Sequence, residues 1–293
     1  MLIIGGSGLV GSNLARAARD TYEVFATFNT HRMDQAGVEE LHVDVRDYQQ
    51  VSAVVKAVSP EVVVHTAALM DVDGCQKNEA LAREVNTLGS RHVARAVGGR
   101  SLLVYVSTDY VFDGKKRSPY EESDPTAPVN IYGATKLAGE EEVRANAKEF
   151  LIVRPAQIWG ENLITRKPTL VQKILASAKT GEVIELLSDQ KQSPTYAAQL
   201  AQDLLGLVKA GERGVYHAAG ASALSRYEVG LKVAEAYDLD SSCLRPVKLS
   251  AAGLAAPRPA NVALSSAKLA GVLGREPPSF DASLKQFRST VAG

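Results

Sequence analysis

The sequence predicts an α/β protein: a doubly wound parallel sheet with a smaller, discontinuous lobe attached to its second half. Three observations lead there. Short apolar runs rich in β-branched residues alternate with stretches of helical periodicity through the first half of the chain, the pattern of successive βα units in a parallel sheet. Runs such as Glu61 to His65, EVVVH, lack alternating polar positions, as strands covered on both faces require. After Arg154 the regular alternation is lost, and Pro246, Pro257 and Pro259 break up the last part of the chain.

Length and charge narrow the function classes. The 293 residues can bury a full core with a lobe to spare. Thirty-three basic residues balance 33 acidic ones, so no global field attracts nucleic acid or an anionic membrane, and neither is an expected partner. Cys75 and Cys243 are far apart and form no metal or redox spacing; no metal is expected. No apolar run approaches the ~18 residues of a membrane span, and the N-terminus lacks a basic leader. A cytoplasmic location follows as the expectation.

Taken in order, Met1 to Ile4 is a buried strand that runs into GGSGLVGS, with Gly5, Gly8 and Gly11 at intervals of three before a helical pattern from Leu9 to Arg19. Strand, glycine turn and helix form the Rossmann-type arrangement that sets a dinucleotide pyrophosphate on a helix N-terminus. The first glycine allows the turn, the second admits the phosphates and the third lets the helix pack closely. Ser7, Leu9 and Val10 belong to the same cradle.

Tyr22 to Phe28 is the second strand. A carboxylate at its end would accept from the ribose 2′-hydroxyl of NAD, whereas a cation accommodates a 2′-phosphate. The tip here reads Asn29, Thr30, His31, Arg32, with no carboxylate before Asp34. Asn29, His31 and Arg32 are therefore expected at the cofactor, with NADPH preferred and NADH the second choice; the plain alternative for Arg32 is a solvated loop charge. Leu41 to Val45 is expected as the third strand and Tyr48 to Val58 as a helix. Asp44, with Val45 beside it, either meets the adenine edge or caps that helix, and Asp47 is an equally good cap.

The fourth strand, Glu61 to His65, opens into TAALMDVDGCQ, where the small Ala67 and Ala68 suit a backbone lying against a cofactor; His65 reads as a packed core residue. Asn78 to Val97 is a long helix carrying Asn86, and Ser101 to Val106 is the fifth strand. STDYVFDG stands at its carboxyl end, where open parallel sheets bind ligands. The charged, proline-bearing loop that follows, KKRSPYEESDPTAPVN, is expected to form an edge of the substrate pocket. Beyond the strand Phe150 to Val153, the spacing predicts helices at Leu170–Ala178, Tyr196–Val208, Tyr227–Tyr237, Ser265–Val272 and Asp281–Thr290, with strands at Val183–Leu187 and Gly214–His217. The expected division is a dinucleotide-binding domain over 1–156, with segments near 190–217 returning to it, and a substrate-binding lobe mainly over 157–293.

The chemistry concentrates in NIYGATKLAGE, where Tyr132 and Lys136 lie four apart and share a helix face. An ammonium beside a phenol in a partly dry site favours the phenolate and so lowers the phenol's pKa, which suits a reductase's proton donor. Many solvated helices carry such a pair; the glycine cradle and Thr108 at the end of a neighbouring strand single this one out.

Together these pieces resemble the extended short-chain dehydrogenase/reductase family, and within it the dTDP-4-dehydrorhamnose reductases. GGSGLVG, TAALMDVDGCQ, EVN ending at Asn86, STDYVFDG, PVNIYGATKLAGE, SPTYAAQLA and RPANVALSSAKL carry the resemblance, from residue 1 to about residue 270. It implies that Thr108, Tyr132 and Lys136 are catalytic, that Tyr132, Lys136 and Asn86 also border the cofactor, and that a nucleotide-linked 4-keto deoxyhexose is the substrate. Lys136 would lower the pKa of Tyr132 and hold the nicotinamide ribose, and Asp109 would face the sugar. In the rhamnose enzymes a tryptophan near the end of the sixth strand contacts the sugar; that place is held here by Gln157, with Trp159 two residues on expected to point away. The stretch ENLITRKPTL also departs from the family pattern. Two other readings stay open: a non-catalytic binding subunit like the regulatory subunit of methionine adenosyltransferase, and a nucleotide-sugar epimerase or dehydratase. A homodimer is compatible with each.

Overall fold

The computed structural model describes residues 1–291. In chain order the first half runs β1 (Leu2–Ile4), α1 (Leu9–Ala18), β2 (Val24–Phe28), β3 (Val38–His42), α2 (Tyr48–Val58), β4 (Val62–His65), α3 (Val72–Lys77), α4 (Glu79–Ala82), a π-helical turn (Arg83–Leu88), α5 (Gly89–Val97), β5 (Leu102–Val106), α6 (Ile131–Asn146) and β6 (Phe150–Arg154). The second half comprises β7 (Ile158–Trp159), α7 (Leu170–Thr180), β8 (Ile184–Leu187), β9 (Thr195–Tyr196), α8 (Ala197–Lys209), β10 (Gly214–His217), α9 (Arg226–Ala236), β11 (Leu244–Val247), α10 (Ala267–Leu273) and α11 (Phe280–Val291).

Seven strands form one parallel sheet in the order β10-β6-β5-β4-β1-β2-β3, the doubly wound arrangement the alternation predicts. Its central strands are apolar because both faces are covered, whereas the edge strand β3, VEELH, is partly exposed. Ile3, Val64 and Val104 pack under α1, α8 and α10, through Leu14, Leu204 and Leu269. Leu2, Ile4 and Val63 meet α2, α5 and α6 on the other face, through Val55, Val93 and Val143. The second half contributes β10, α8 and α10 to this body and otherwise closes its own core around Trp159, Ile174, Leu186, Val233 and Phe280.

Three features differ from the sequence expectation. The third strand lies at Val38–His42 rather than 41–45, because Val43 to Val45 leave the ladder to line a cleft. The long helix begins at Glu79 and passes through the π turn at Asn86, an insertion that helical periodicity does not announce. Two small parallel pairs, β7 with β9 and β8 with β11, carry strands of two to four residues; of these only β8 has an apolar run long enough to read.

Candidate active site

A cleft of about 710 Å³ opens outside the carboxyl ends of β1 and β4, where the strand order reverses, and runs from Arg46 at one end to Arg226 at the other. Its floor is the glycine turn. Gly5 has φ +92°, and a Cβ there would lie 2.6 Å from the Ala67 amide nitrogen; one on Gly11 would lie 2.3 Å from the Gly5 carbonyl oxygen. Only glycine permits this closeness of turn, helix and Ala67. The N-terminus of α1 has no side-chain cap and no acidic residue in its first turn, so its free amides face the cleft between Ser7, Gly8, Leu9 and Val10. These residues fit a dinucleotide pyrophosphate.

At the Arg46 end the cleft is lined by Asn29, Thr30, Asp44 and Val45, and opposite the turn by Ala67 and Ala68. Asp47, not Asp44, caps α2, accepting from the amides of Gln49 and Gln50. Asp44 is gripped by Arg46, whose Nε lies 3.0 Å from both carboxylate oxygens, and this pairing holds the Asp44 carboxyl below its ordinary range. The expected cations lie elsewhere. Arg32 turns to Glu40 at 3.5 Å and over the Phe28 ring, with its side chain 70% exposed, and His31 bonds the Thr30 hydroxyl; neither lines the cleft. A 2′-phosphate should therefore draw on Arg46. Arg46→Ala is expected to weaken NADPH by about tenfold more than NADH, the loss of one charge-assisted contact, while Arg32→Ala should affect both alike. Fluorescence titration of the two cofactors checks this; equal losses in Arg46→Ala would place the phosphate elsewhere.

The opposite wall is built by the close approach of α6 to the end of β5. Asn130 caps α6 through the Gly133 amide and donates to the Pro257 carbonyl, fixing the helix start from both sides. A Cβ on Gly133 would lie 2.2 Å from the Tyr110 carbonyl oxygen, so glycine is needed for the first turn to lie against residues 108–111. This brings Tyr132 edge-on to Tyr110, ring centroids 5.7 Å apart, and beside Thr108. Thr108 accepts from the Tyr110 amide and donates to Asp109 at 3.0 Å, while Asp109 also accepts from Gln192 at 2.8 Å. Burial pushes the Asp109 carboxyl up to about 6, against the opposing effect of those two hydrogen bonds.

Lys136 and Asn86 stand behind this wall rather than on it. The Lys136 ammonium donates to the Val106 carbonyl at 2.8 Å and sits 4.1 Å from the centre of the Tyr105 ring. Burial lowers it to about 7, and the Glu140 carboxylate acts in the opposite sense. The expectation of a lowered phenol pKa is reversed: burial pushes Tyr132 above its ordinary value, with the Thr108 hydroxyl opposing it. The ammonium favours its own carbonyl and ring partners over the phenol. Asn86 spans Leu69 and Thr135, accepting from the Leu69 amide at 2.8 Å and donating to the Thr135 hydroxyl at 3.1 Å. It clamps the segment after Ala68 onto α6.

The proline-bearing loop at 115–130 does not edge the cleft. Tyr120 stacks on Phe112, and Glu122 accepts the His217 amide, so the loop packs across the far side of β6 and β10. Gln157 does line the cleft, with φ +37°. Trp159 points away into the lobe core, 5.0 Å from Tyr196 and 5.2 Å from Phe280. In an unbroken strand residues two apart share a face, so it is the left-handed turn at Gln157 that separates them.

The RmlD substrate binding domain family matches residues 1–292. The chain belongs to this family. A dTDP-4-dehydrorhamnose reductase of Mycobacterium tuberculosis is 37% identical over 301 residues, spanning 100% of this chain and 91% of the relative. Methionine adenosyltransferase 2 subunit beta of Xenopus tropicalis is 31% identical, spanning 94% and 84%. Among solved structures, dTDP-4-dehydrorhamnose reductase of Bacillus anthracis in complex with NADP superposes with a TM-score of 0.85 at 29% identity, covering 99% of this chain and 98% of that one.

Three polar residues of this RmlD-family cleft escape a reading of local pattern: Arg46, Gln192 and Arg226. Arg226 opens α9 directly after the capping box of Ser225 and Glu228, a helix start visible in the sequence, but nothing local aims it at the cleft. Gln192 precedes the SPTY segment and reaches Asp109 across 83 positions of sequence.

Proposed function

We propose that this RmlD-family protein is an NADPH-dependent reductase of the ketone of a deoxyhexose carried on a nucleoside diphosphate, with dTDP-4-dehydrorhamnose as substrate and dTDP-rhamnose as product. The observation that carries this reading is the pairing of Thr108 and Tyr132 at the end of β5, on one cleft with the glycine cradle. The M. tuberculosis relative and the NADP-bound B. anthracis structure support the substrate and the cofactor.

A nicotinamide held by the glycine cradle would supply hydride for the carbonyl carbon. Tyr132 gives its proton to the carbonyl oxygen as negative charge grows there, completing the alcohol. Burial holds the phenol above its ordinary value and so makes it a weaker acid in the resting site; the charge growing on the ketone oxygen is what draws its proton across. Thr108 has a single proton, directed at Asp109; turning it to the ketone oxygen lets it stabilise the developing charge. Lys136, one helical turn beyond Tyr132 and behind the wall, would oppose the negative charge of the phenolate left behind.

Arg226 has no carboxylate partner among the described residues and lies near Tyr110 on the sugar side. It suits the substrate's diphosphate. Purified protein should oxidise NADPH when given dTDP-4-dehydrorhamnose, and Arg226→Ala should raise KM by about tenfold or more, with a smaller effect on kcat. No turnover of any 4-keto nucleotide sugar would overturn the reductase reading in favour of the binding-subunit one, which the X. tropicalis relative represents. No helix of the described residues is long and apolar enough to cross a membrane, and a reductase drawing on NADPH and nucleotide sugars would work in the cytoplasm.

A further inference from the structure

The cleft wall supplied by the second half of the chain holds buried polar atoms without a protein partner: both amide atoms of Gln157, the amide oxygen of Gln192 and Nε of Arg226. Other such atoms, on Trp159, Gln190 and His65, lie off the cleft. A buried amide left unpaired costs stability. Gln157 adds to the cost, since its φ of +37° is unfavourable for any residue with a Cβ, and glycine would hold the same backbone without either penalty. Stability is thus given up on the wall facing Tyr132.

Gln192 is not free to turn. It is 2% exposed, and its amide nitrogen is committed to Asp109, whose other oxygen takes the Thr108 proton. That leaves its amide oxygen as a buried acceptor without a protein donor, on a residue that lines the cleft. Gln157 offers one acceptor and a pair of donor hydrogens. A neutral acceptor beside a neutral donor and acceptor matches hydroxyl groups, each of which gives and takes a hydrogen bond. It does not match a phosphate, which only accepts at these positions, or an ammonium, which only donates.

We propose that Gln157 and Gln192 form a paired-amide site for the ring hydroxyls beside the ketone, through which this protein selects its sugar by hydroxyl pattern. This rests on the reductase reading of the cleft. The chain Gln192, Asp109, Thr108 ties a hydroxyl held at Gln192 to the group that meets the ketone oxygen. A site built to bond a hydroxyl also rejects a sugar lacking it, because its own polar groups then stay unpaired.

Calorimetric titration with dTDP-rhamnose, its 3-deoxy analogue and dTDP tests this without turnover. In the unmodified protein the full sugar should bind at least tenfold tighter than the 3-deoxy one. Gln192→Leu should abolish that difference while leaving dTDP affinity unchanged. Gln157→Gly should reduce the sugar's contribution and, by relieving strain and removing the unpaired amide, raise Tm by about 2 °C. A difference that persists in Gln192→Leu, or a Gln157→Gly protein that is less stable, overturns the paired-amide site. Absence of NADPH turnover with intact sugar discrimination in binding would count against the reductase reading alone.

Discussion

Tyr132→Phe is expected to bind NADPH as the unmodified protein does and to lose about a thousandfold in kcat, within the range that a positioned general acid contributes. The ring keeps its edge contact with Tyr110, so the wall of the cleft is preserved and only the hydroxyl is removed. Of the groups beside Tyr132, Asp109, raised by burial to about 6, is mostly ionised at neutral pH, and Thr108 is a far weaker acid than the phenol. Because the hydroxyl acts mainly in the transition state, kcat and kcat/KM should fall together. Single-turnover oxidation of NADPH followed at the nicotinamide absorbance measures this directly, and a variant with undiminished rate would move the proton donor elsewhere.

Glu140→Ala should be the most destabilising single change at the site, by about 3–5 kcal/mol, the usual result of removing one partner from a buried ion pair. Glu140 is fully buried and receives Arg154 through Nε at 2.8 Å and Nη2 at 2.7 Å, Ser107 at 2.6 Å and Arg144 at 3.1 Å. Its loss leaves the Arg154 guanidinium buried over Phe112 without a counter-charge and withdraws the carboxylate that supports the Lys136 ammonium. Urea unfolding followed by circular dichroism gives the loss, and replacing both partners, Glu140→Leu with Arg154→Met, should recover most of it. A loss under about 1 kcal/mol in Glu140→Ala would show the pair to be solvated in solution.

The same pair has a pH signature. Arg154 holds the Glu140 carboxyl below its ordinary 4.5 in spite of burial, so the folded state gains stability above that pH and loses it as acid protonates the group. Lys136 acts in the other direction. With its pKa lowered from 10.5 to about 7, the folded state binds fewer protons than the unfolded chain between those values, so stability rises with pH across that window. Lys136→Met should flatten that rise.

Local pattern carries much of this protein. Apolar runs without alternation specify a sheet covered on both faces, because strands with helices on each side have no solvent face to show. The glycine interval from Gly5 to Gly11 specifies the turn, because a Cβ at Gly5 or Gly11 would collide with backbone. Thr108 and Tyr132 were legible because each lies at a fixed place on a predictable element, a strand end and a helix start. The directions of long side chains were not. Arg32 and Arg46 sit on neighbouring loops, and what keeps one off the cleft and the other on it is the position of Glu40 and Asp44 once β2 and β3 have paired. Lys136 shares a helix face with Tyr132, yet the Val106 carbonyl and the Tyr105 ring claim its charge, and both come from a different strand. Gln192 and Arg226 enter the cleft only because the lobe folds back over β5. The sequence by itself therefore determined most of the long elements, the sheet and the cofactor turn, which follow from backbone sterics and periodic burial over a few residues. Which charges and amides face the ligands was decided by tertiary contacts between segments up to 83 positions apart, where burial and partner choice outweigh local spacing.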